Sequence, residues 1–527
     1  MIMTGGSTWP FKINQQQMKV LTNLLVLAVL AAFICSCGTK GSPEGSFDTL
    51  IANAIVMDGT GAEGYPGDIL INGDTIAYIG KVDVDKVTVG QFIDAGGKVV
   101  SPGFIDAHAH GDPVADADFQ NFLNMGVTTI CLGQDGFSYA SENISPWMQQ
   151  IDSTGLGVNV LTFIGHSTLR ELSGTDYAPV PTGSQLEAMQ RILDQGMERG
   201  AFGLSTGLEY TPGYFAQEEE MKALAKVVGE NHGIIMSHMR NEDDGQVENS
   251  IHELLLQGGF APVHISHFKA VYGKGKERAV RLLSILDSAR RQGTTVTADV
   301  YPYTASYTGI GIVFPEWAKA PNDFGQVKAS RREGLEDFLR NKINQRNGPE
   351  ATLFGNGPWK GMTLAQVSDS LKMPFEKVLI DVVGPEGGSG AYFVMDEELQ
   401  ARLIKDSWVC ISSDGSPTMH HPRGYGSFAK IIRHYVNEAH ELELADAIRK
   451  MTSLPAAIIG LKKRGEVKVG YKADLLVFDP AKVKDKATYE APHQFAEGFE
   501  YVFVNGRLSK SPDGNAPTRF GHFLRKR

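Results

Sequence analysis

Val99-Val100-Ser101-Pro102-Gly103-Phe104-Ile105-Asp106-Ala107-His108-Ala109-His110 is an apolar run that ends in two histidines with one residue between them. An apolar stretch without polar alternation reads as a strand buried on both faces, the mark of a parallel sheet. The strand of this run is placed at 99–107, and seven more runs of the same character follow, at 127–133, 158–165, 201–207, 233–237, 261–266, 294–300 and 408–413. Between them lie longer stretches with apolar residues at helical spacing, as in 184–198 and 277–291. Gly126, Gly157, Gly200, Gly233 and Gly293 stand before strands, where a left-handed residue commonly closes the preceding helix. Eight strand–helix units joined by right-handed crossovers predict an α/β fold, a (β/α)8 TIM barrel spanning 99–465.

The flanks differ in pattern. Residues 47–93 alternate in short runs with turns at Asp58-Gly59 and Asn72-Gly73-Asp74, and 473–478 and 501–508 repeat the pattern around Asn505-Gly506. Both chain ends are therefore expected to build one small β-sandwich domain, from 47–98 and 466–527. The excursion between strands seven and eight, 312–406, contains helical patterns at 332–344 and 363–371 and a Gly-rich stretch at 384–390. An insertion of that length is expected to be a lid over the site.

The 527 residues are 42% hydrophobic and 21% charged, as suits a large globular core. With 61 acidic against 50 basic residues the net charge is −11, which argues against a nucleic-acid partner. At the N-terminus Lys19 precedes an apolar stretch, 20–34, that leads into Cys35-Ser36-Cys37-Gly38. It is short for a membrane span and fits the apolar region of a signal peptide. Residues 34–37 resemble a lipobox, so 1–37 is expected to be a signal peptide, with Met18 a candidate start, and Cys37 the lipid-anchored residue. Residues 38–46 form a tether, and the location is the periplasm or outer membrane. Cys131 and Cys410 lie in separate strand-like runs and are expected to be buried free thiols.

Polar residues gather where the strands end. His108 and His110 are two apart, so their side chains share a direction and can bind one metal ion. His238 and His267 each follow a strand and a serine; they complete that position or form a second one. Asp135, in Gly133-Gln134-Asp135-Gly136, can bridge two metals or orient a ligand, although aspartate before glycine is also an ordinary turn. Asp414, in Ser412-Ser413-Asp414-Gly415, is the candidate general base and acid, taking a proton from water and returning it to a leaving amine. Lys269, Tyr301 and Arg423 are substrate-binding candidates, since a guanidinium holds a carboxylate through two hydrogen bonds. His264 is read as structural, and His166 is left without a role.

These motifs resemble the amidohydrolase superfamily, and within it the N-acyl-D-amino-acid deacylases, or D-aminoacylases. The resemblance covers about residues 47–510. It rests on FIDAHAH at 104–110, GLSTGLEYTPG at 203–213, SHMRNE at 237–242, SHFK at 266–269, DVYPYTAS at 299–306, SSDG at 412–415, HPRGYGSF at 421–428, and MTSLPAAIIGL followed by RGEVKVGYKADLLVFDP. It implies a zinc-dependent barrel with one or two Zn2+ ions, or another divalent metal. The substrate would be a small molecule, an N-acyl-D-amino acid cleaved at its amide. By resemblance His238 and His267 hold the tight zinc, His108 and His110 the weaker position, Asp414 acts as base, and Lys269, Tyr301 and Arg423 bind the carboxylate, with Tyr210 in the pocket. Two departures stand out. Asp135 occupies a turn where the family commonly has a cysteine, and a carboxylate is a harder ligand than a thiolate. Tyr307 stands where the family often has serine. The nearest alternatives are a dipeptidase acting on D-residues or a cyclic-amide hydrolase of the same superfamily, and, from another class, a non-catalytic binding lipoprotein.

Overall fold

In the computed structural model, residues 43–516 and 518–526 are described. The signal peptide, the lipobox with Cys37 and most of the tether lie outside them. The described residues divide into two compact units, 43–46 with 81–88, and 47–80 with 89–526. In the smaller unit, a 3-10 turn at Val84–Lys86 is capped by the Asp83 side chain, and Lys86 pairs with Glu44 at 3.3 Å. Everything below belongs to the larger unit.

Its barrel strands are β1 (Phe104–Asp106), β2 (Val127–Leu132), β3 (Asn159–Thr162, resuming at Ile164–Gly165), β4 (Gly203–Gly207), β5 (Ile234–His238), β6 (Val263–Ile265), β7 (Val296–Val300) and β8 (Val409–Ile411). Neighbours pair in parallel from β1 to β3 and from the second part of β3 to β8. The two halves of β3 are bridged by Phe163 N donating to Leu132 O and Phe202 N donating to Thr162 O, each 3.0 Å. The ring closes just beyond β8 and β1, where Asp414 N donates to His108 O and His110 N to Gly415 O, both 2.8 Å. Closure therefore runs through residues of the site itself.

Inward side chains such as Ile105, Cys131, Leu161, Phe163, Met236 and Cys410 fill the barrel. A larger apolar layer packs the strands against the outer helices, among them Gly183–Glu198 and Lys276–Arg291. The first of these starts with a capping box, Thr182 accepting from Gln185 N. Cys131 and Cys410 are free and buried.

Several local expectations are corrected. The run 99–107 is two strands. Val99–Pro102 pairs antiparallel with Leu475–Phe478, and only Phe104–Asp106 enters the barrel. The break falls at Gly103, where a Cβ would lie 2.2 Å from the Thr128 hydroxyl. Of the glycines before strands, Gly126, Gly200 and Gly293 do take positive φ, but Gly157 and Gly233 do not. Those two are small for packing: a Cβ on Gly157 would meet Asp118 O at 1.9 Å, and one on Gly233 the Met197 methyl at 2.4 Å.

The β-sandwich expected from both chain ends is hydrogen-bonded as one continuous nine-stranded sheet. Ile51, Ile69 and Val100 from the first end and Leu475, Val477 and Phe503 from the second share its core. The last residues leave it: Gly521 N donates to Leu156 O, Leu524 N to Val160 O, and Phe523 packs edge-on to Trp147. After β7 the chain forms a three-stranded sheet, Ser306–Gly309, Ser389–Tyr392 and Thr352–Phe354, with its own apolar core of residues such as Ile310, Leu335, Leu339 and Leu364. Helix Glu397–Ile404, by contrast, joins the main barrel core through Leu399, Leu403 and Ile404.

Candidate active site

The predicted donors stand at one end of the barrel. His108 and His110 follow β1, Asp135 follows β2, His238 ends β5, His267 follows β6 and Asp414 follows β8. Three of them hold left-handed backbone: Asp135 at φ 54°, His267 at φ 38° and Asp414 at φ 48°. Aspartate tolerates that region. For histidine it is uncommon, and such residues collect where the surroundings dictate them. Here His267 N donates to Asp299 Oδ1 at 2.9 Å, and the Asp135 turn lies so close to Gly207 that a Cβ there would meet Asp135 O at 2.1 Å.

Buried aspartates tie the strand ends together. Asp106 accepts from Ser413 N and from the Ser413 hydroxyl, and Asp299 accepts from the Ser412 hydroxyl and from His264, whose Nε2 is 2.8 Å away. Burial pushes the Asp106 carboxyl up to about 7 despite the Ser413 bonds. His264, also bonded to Thr297, is structural as expected. His166, left open by the sequence, pairs with Glu220 at 2.8 Å beside buried Arg170.

Two groups of donors share Asp135. Asp135 Oδ1 lies 3.3 Å from His267 Nε2 and 4.0 Å from His238 Nδ1, and those two nitrogens are 3.1 Å apart. In the second group, Asp135 Oδ1 is 3.3 Å from His108 Nε2, Asp135 Oδ2 is 3.4 Å from His110 Nε2, and Asp414 Oδ1 is 3.1 Å from His110 Nε2. Ligands about 2.1 Å from one tetrahedral ion are separated by about 3.4 Å. The donor spacing is therefore that of groups sharing cations. His108 adds a second sign: it is fully buried and neither ring nitrogen has a hydrogen-bond partner. A buried imidazole without partners is costly unless something binds it.

Two glutamates not singled out in the sequence orient the first group. His238 Nε2 faces Glu209 Oε2 at 3.0 Å, and His267 Nδ1 faces Glu242 Oε1 at 3.2 Å. Each leaves the opposite ring nitrogen turned to Asp135, the arrangement in which a carboxylate fixes the tautomer of a ligating histidine. Both glutamates lie inside stretches already quoted, GLEYTPG and SHMRNE, but a single loop carboxylate has no periodicity to mark it.

Burial alone would raise the acids and lower the imidazoles. For Asp135 the neighbouring His108 and His267 outweigh burial and hold the carboxyl well below its usual range. For Asp414, Arg423 and His267 do the same. His267 is lowered by burial and by Lys269, yet Asp414, Glu242 and Asp135 carry it up to about 10. His110 is lowered by burial and raised more strongly by its bonds to Asp135 and Asp414, reaching about 9. His108 falls below its ordinary value because it is buried. The result is a socket in which the carboxylates Asp135 and Asp414 are ionised and balanced by protons on His110 and His267, which a metal cation can replace.

The cavity above these donors, about 570 Å³, is lined in part by Tyr210, Lys269, Tyr307, Arg346 and Arg423. Arg423 Nη1 bonds Asp414 Oδ2 at 2.8 Å, Nη2 donates to Tyr307 O at 3.3 Å, and Nε is buried without a partner. Lys269 Nζ is held by Glu242 Oε1 at 2.8 Å and by His267 O at 3.1 Å, and it lies 2.7 Å from the same His267 Nδ1 that faces Glu242. The Tyr210 hydroxyl accepts from Thr308, and its ring tilts 4.4 Å from that of His238. Tyr301, expected to bind substrate, is not part of the cavity wall. It is fully buried, its hydroxyl turned to the Met395 sulfur, and its ring carries the Arg423 guanidinium at 4.8 Å and Lys269 Nζ at 5.9 Å. A strand-end position told its height in the barrel but not which way its ring points.

Imidazoles and carboxylates converging on shared positions at the C-terminal mouth of a (β/α)8 barrel define a metal-dependent hydrolase. Residues 362–509 match the amidohydrolase family. Over 506 residues the chain is 32% identical to the N-acyl-D-glutamate deacylase of Alcaligenes xylosoxydans xylosoxydans, covering 91% of this chain and 96% of that one. The crystal structure of the N-acyl-D-glutamate deacylase of Bordetella bronchiseptica, complexed with zinc and a phosphonate mimic of the tetrahedral intermediate, aligns with a TM-score of 0.80 at 31% identity, over 91% of this chain and 100% of that chain. A D-aminoacylase structure described in terms of one-metal activation and second-metal attenuation at a binuclear centre aligns at 0.79 and 29% identity, with the same coverage. The chain belongs to the N-acyl-D-amino-acid deacylase family of amidohydrolases.

Proposed function

We propose that the protein hydrolyses the N-acyl amide of N-acyl-D-amino acids, releasing a carboxylate and the free D-amino acid. One observation carries this reading: Asp135 joins both donor groups beside Asp414, in a cavity whose wall includes Arg423. The linear amide and the D series are supported by the relatives, which include an N-acyl-D-glutamate deacylase, an N-acyl-D-aspartate deacylase and a D-aminoacylase.

Zinc, as one or two ions, is the cofactor proposed, with Asp135, His238 and His267 holding one ion and His108, His110, Asp135 and Asp414 the other. Bound there, a divalent cation supplies Lewis acidity, polarising a carbonyl and lowering the pKa of water towards ~7. Asp414 is the group placed to accept a proton from the attacking water and pass it to the departing amine nitrogen. Arg423 fixes the other Asp414 oxygen and, as part of the cavity wall, brings its positive charge to where a substrate carboxylate would lie. Lys269 adds positive charge to the same side, Tyr210 flanks the acyl amide, and Tyr301 supports both cations from behind.

The test is to measure the metal content of the protein and amine release from matched N-acetyl-D- and N-acetyl-L-amino acids. Bound zinc with release confined to the D series is expected. Metal with release from neither series would overturn the deacylase reading and favour peptides or cyclic amides as substrates.

We further propose that the protein is exported and lipid-anchored at Cys37, at the periplasmic face or outer membrane. The support is the apolar stretch 20–34 running into Cys35-Ser36-Cys37-Gly38. Among the described residues no helix is long and apolar enough to cross a membrane. Metabolic labelling with palmitate should mark the wild-type protein and fail to mark Cys37→Ala; equal labelling of both would contradict the anchor.

A further inference from the structure

The two sides of the cavity mouth differ in chemistry. Loops after β4 to β8 bring Glu209, Glu242, Asp243, Lys269 and Arg423, with Arg346 beside them. Past the donors His110 and Asp135 and the polar Gln134 and Ser138, the loops after β1 and β2 bring Pro113, Phe137, Tyr139 and, on the helix that follows, Trp147. Tyr139 stacks on Trp147 at 5.0 Å and 8°, and Trp147 is braced edge-on by Phe523 at 5.4 Å. The platform is thus rigid, yet Val114, Phe137 and Tyr139 are 43%, 43% and 48% exposed. An adjoining hollow of about 410 Å³ shares Gly111, Pro113, Tyr139 and Trp147 with the catalytic cavity and adds Val114, with Asp112 and Gln150 as its polar residues. Large apolar side chains grouped at a site mouth point to an apolar ligand group.

We propose that this trough is the acyl-group subsite, and that it takes a medium-chain or aromatic acyl group in preference to acetyl. The inference rests on the deacylase reading. The amide carbonyl must lie at the donor cluster. A carboxylate drawn to Arg423 and Lys269 places the amino-acid portion on the β6–β8 side. The acyl substituent, on the other side of the carbonyl carbon, is then directed to the loops after β1 and β2, where it meets Pro113, Tyr139 and Trp147. Val114 and Tyr139 along the trough are exposed, so added methylenes lie on a surface shelf rather than in a closed pocket.

A fully buried methylene is worth ~0.8 kcal/mol, about fourfold in kcat/KM, and a half-covered one about twofold. Four added methylenes on an open shelf should therefore raise kcat/KM about tenfold or more. The experiment compares N-acetyl, N-hexanoyl and N-phenylacetyl forms of one D-amino acid on the wild-type protein and on Tyr139→Ser. A thermal melt of each protein confirms the fold of the variant. The expected result is a hexanoyl-to-acetyl ratio of about ten or more in the wild type, falling at least about fivefold in Tyr139→Ser. Taking the ratio removes any difference in metal loading. A ratio near one or below in the wild type, with N-acetyl substrate turned over, overturns the acyl subsite alone. A high ratio unchanged in a folded Tyr139→Ser protein also overturns it. No hydrolysis of any of the three substrates by metal-loaded protein removes the deacylase reading and the subsite with it.

Discussion

The two donor groups that share Asp135 are built differently. In the first, His238 and His267 are buried, and each is oriented by its own glutamate, Glu209 at 3.0 Å and Glu242 at 3.2 Å. In the second, the His110 side chain is 33% exposed, and His108 has only the distant Asp299, 3.9 Å from its Nδ1. A ligand whose tautomer and rotamer are fixed in advance loses less freedom on binding, so the first group should hold a cation more tightly. The difference teaches that number of donors and strength of binding are separate matters. The second group has more donors but less support behind them.

The largest effect should come from breaking what the groups share. Asp135→Ala should leave the protein with little bound metal and no measurable hydrolysis; retention of a full complement of zinc would show that the two groups are independent. Next in size, Asp414→Asn should lower kcat about 10²–10⁴-fold, the range for losing a general base, while the first equivalent of metal stays bound. A kcat within a few-fold of wild type would assign proton transfer elsewhere. Removing the support instead of the ligand should cost less. Glu242→Gln should weaken affinity for the first metal equivalent about 10–100-fold, measured by competition with a chelator. An unchanged affinity would mean that His267 is held by the fold alone. Smallest at the first position, His110→Asn should leave the first equivalent within a few-fold of wild type and abolish the second in a zinc titration.

The ease with which these parts could be read from the sequence follows their physics. The donors His108, His110, His238, His267 and Asp414 were visible because each ends or follows a long apolar run, and strand ends are where such barrels place their chemistry. The barrel itself was legible for the same reason. The break at Gly103 was not, because both halves of 99–107 are apolar and only their different strand partners, Leu475–Phe478 and Val127–Leu132, separate them. Tyr301 misled because height along a strand does not fix where a ring points; it lies behind Arg423 rather than beside the cavity. Glu209 and Glu242 were silent because their meaning comes entirely from which imidazole nitrogen they meet, a contact made across 29 residues and 25 residues of chain respectively. The apolar trough was equally hidden, since Trp147 meets Phe523 only through the fold, across most of the chain.

The inequality of the two positions can be measured directly by anomalous diffraction from crystals of the metal-free protein given one equivalent of zinc. A single strong peak among Asp135, His238 and His267 is predicted, with the His108–His110–Asp414 position filling only at higher zinc. A first peak at the His108–His110–Asp414 position would contradict the account.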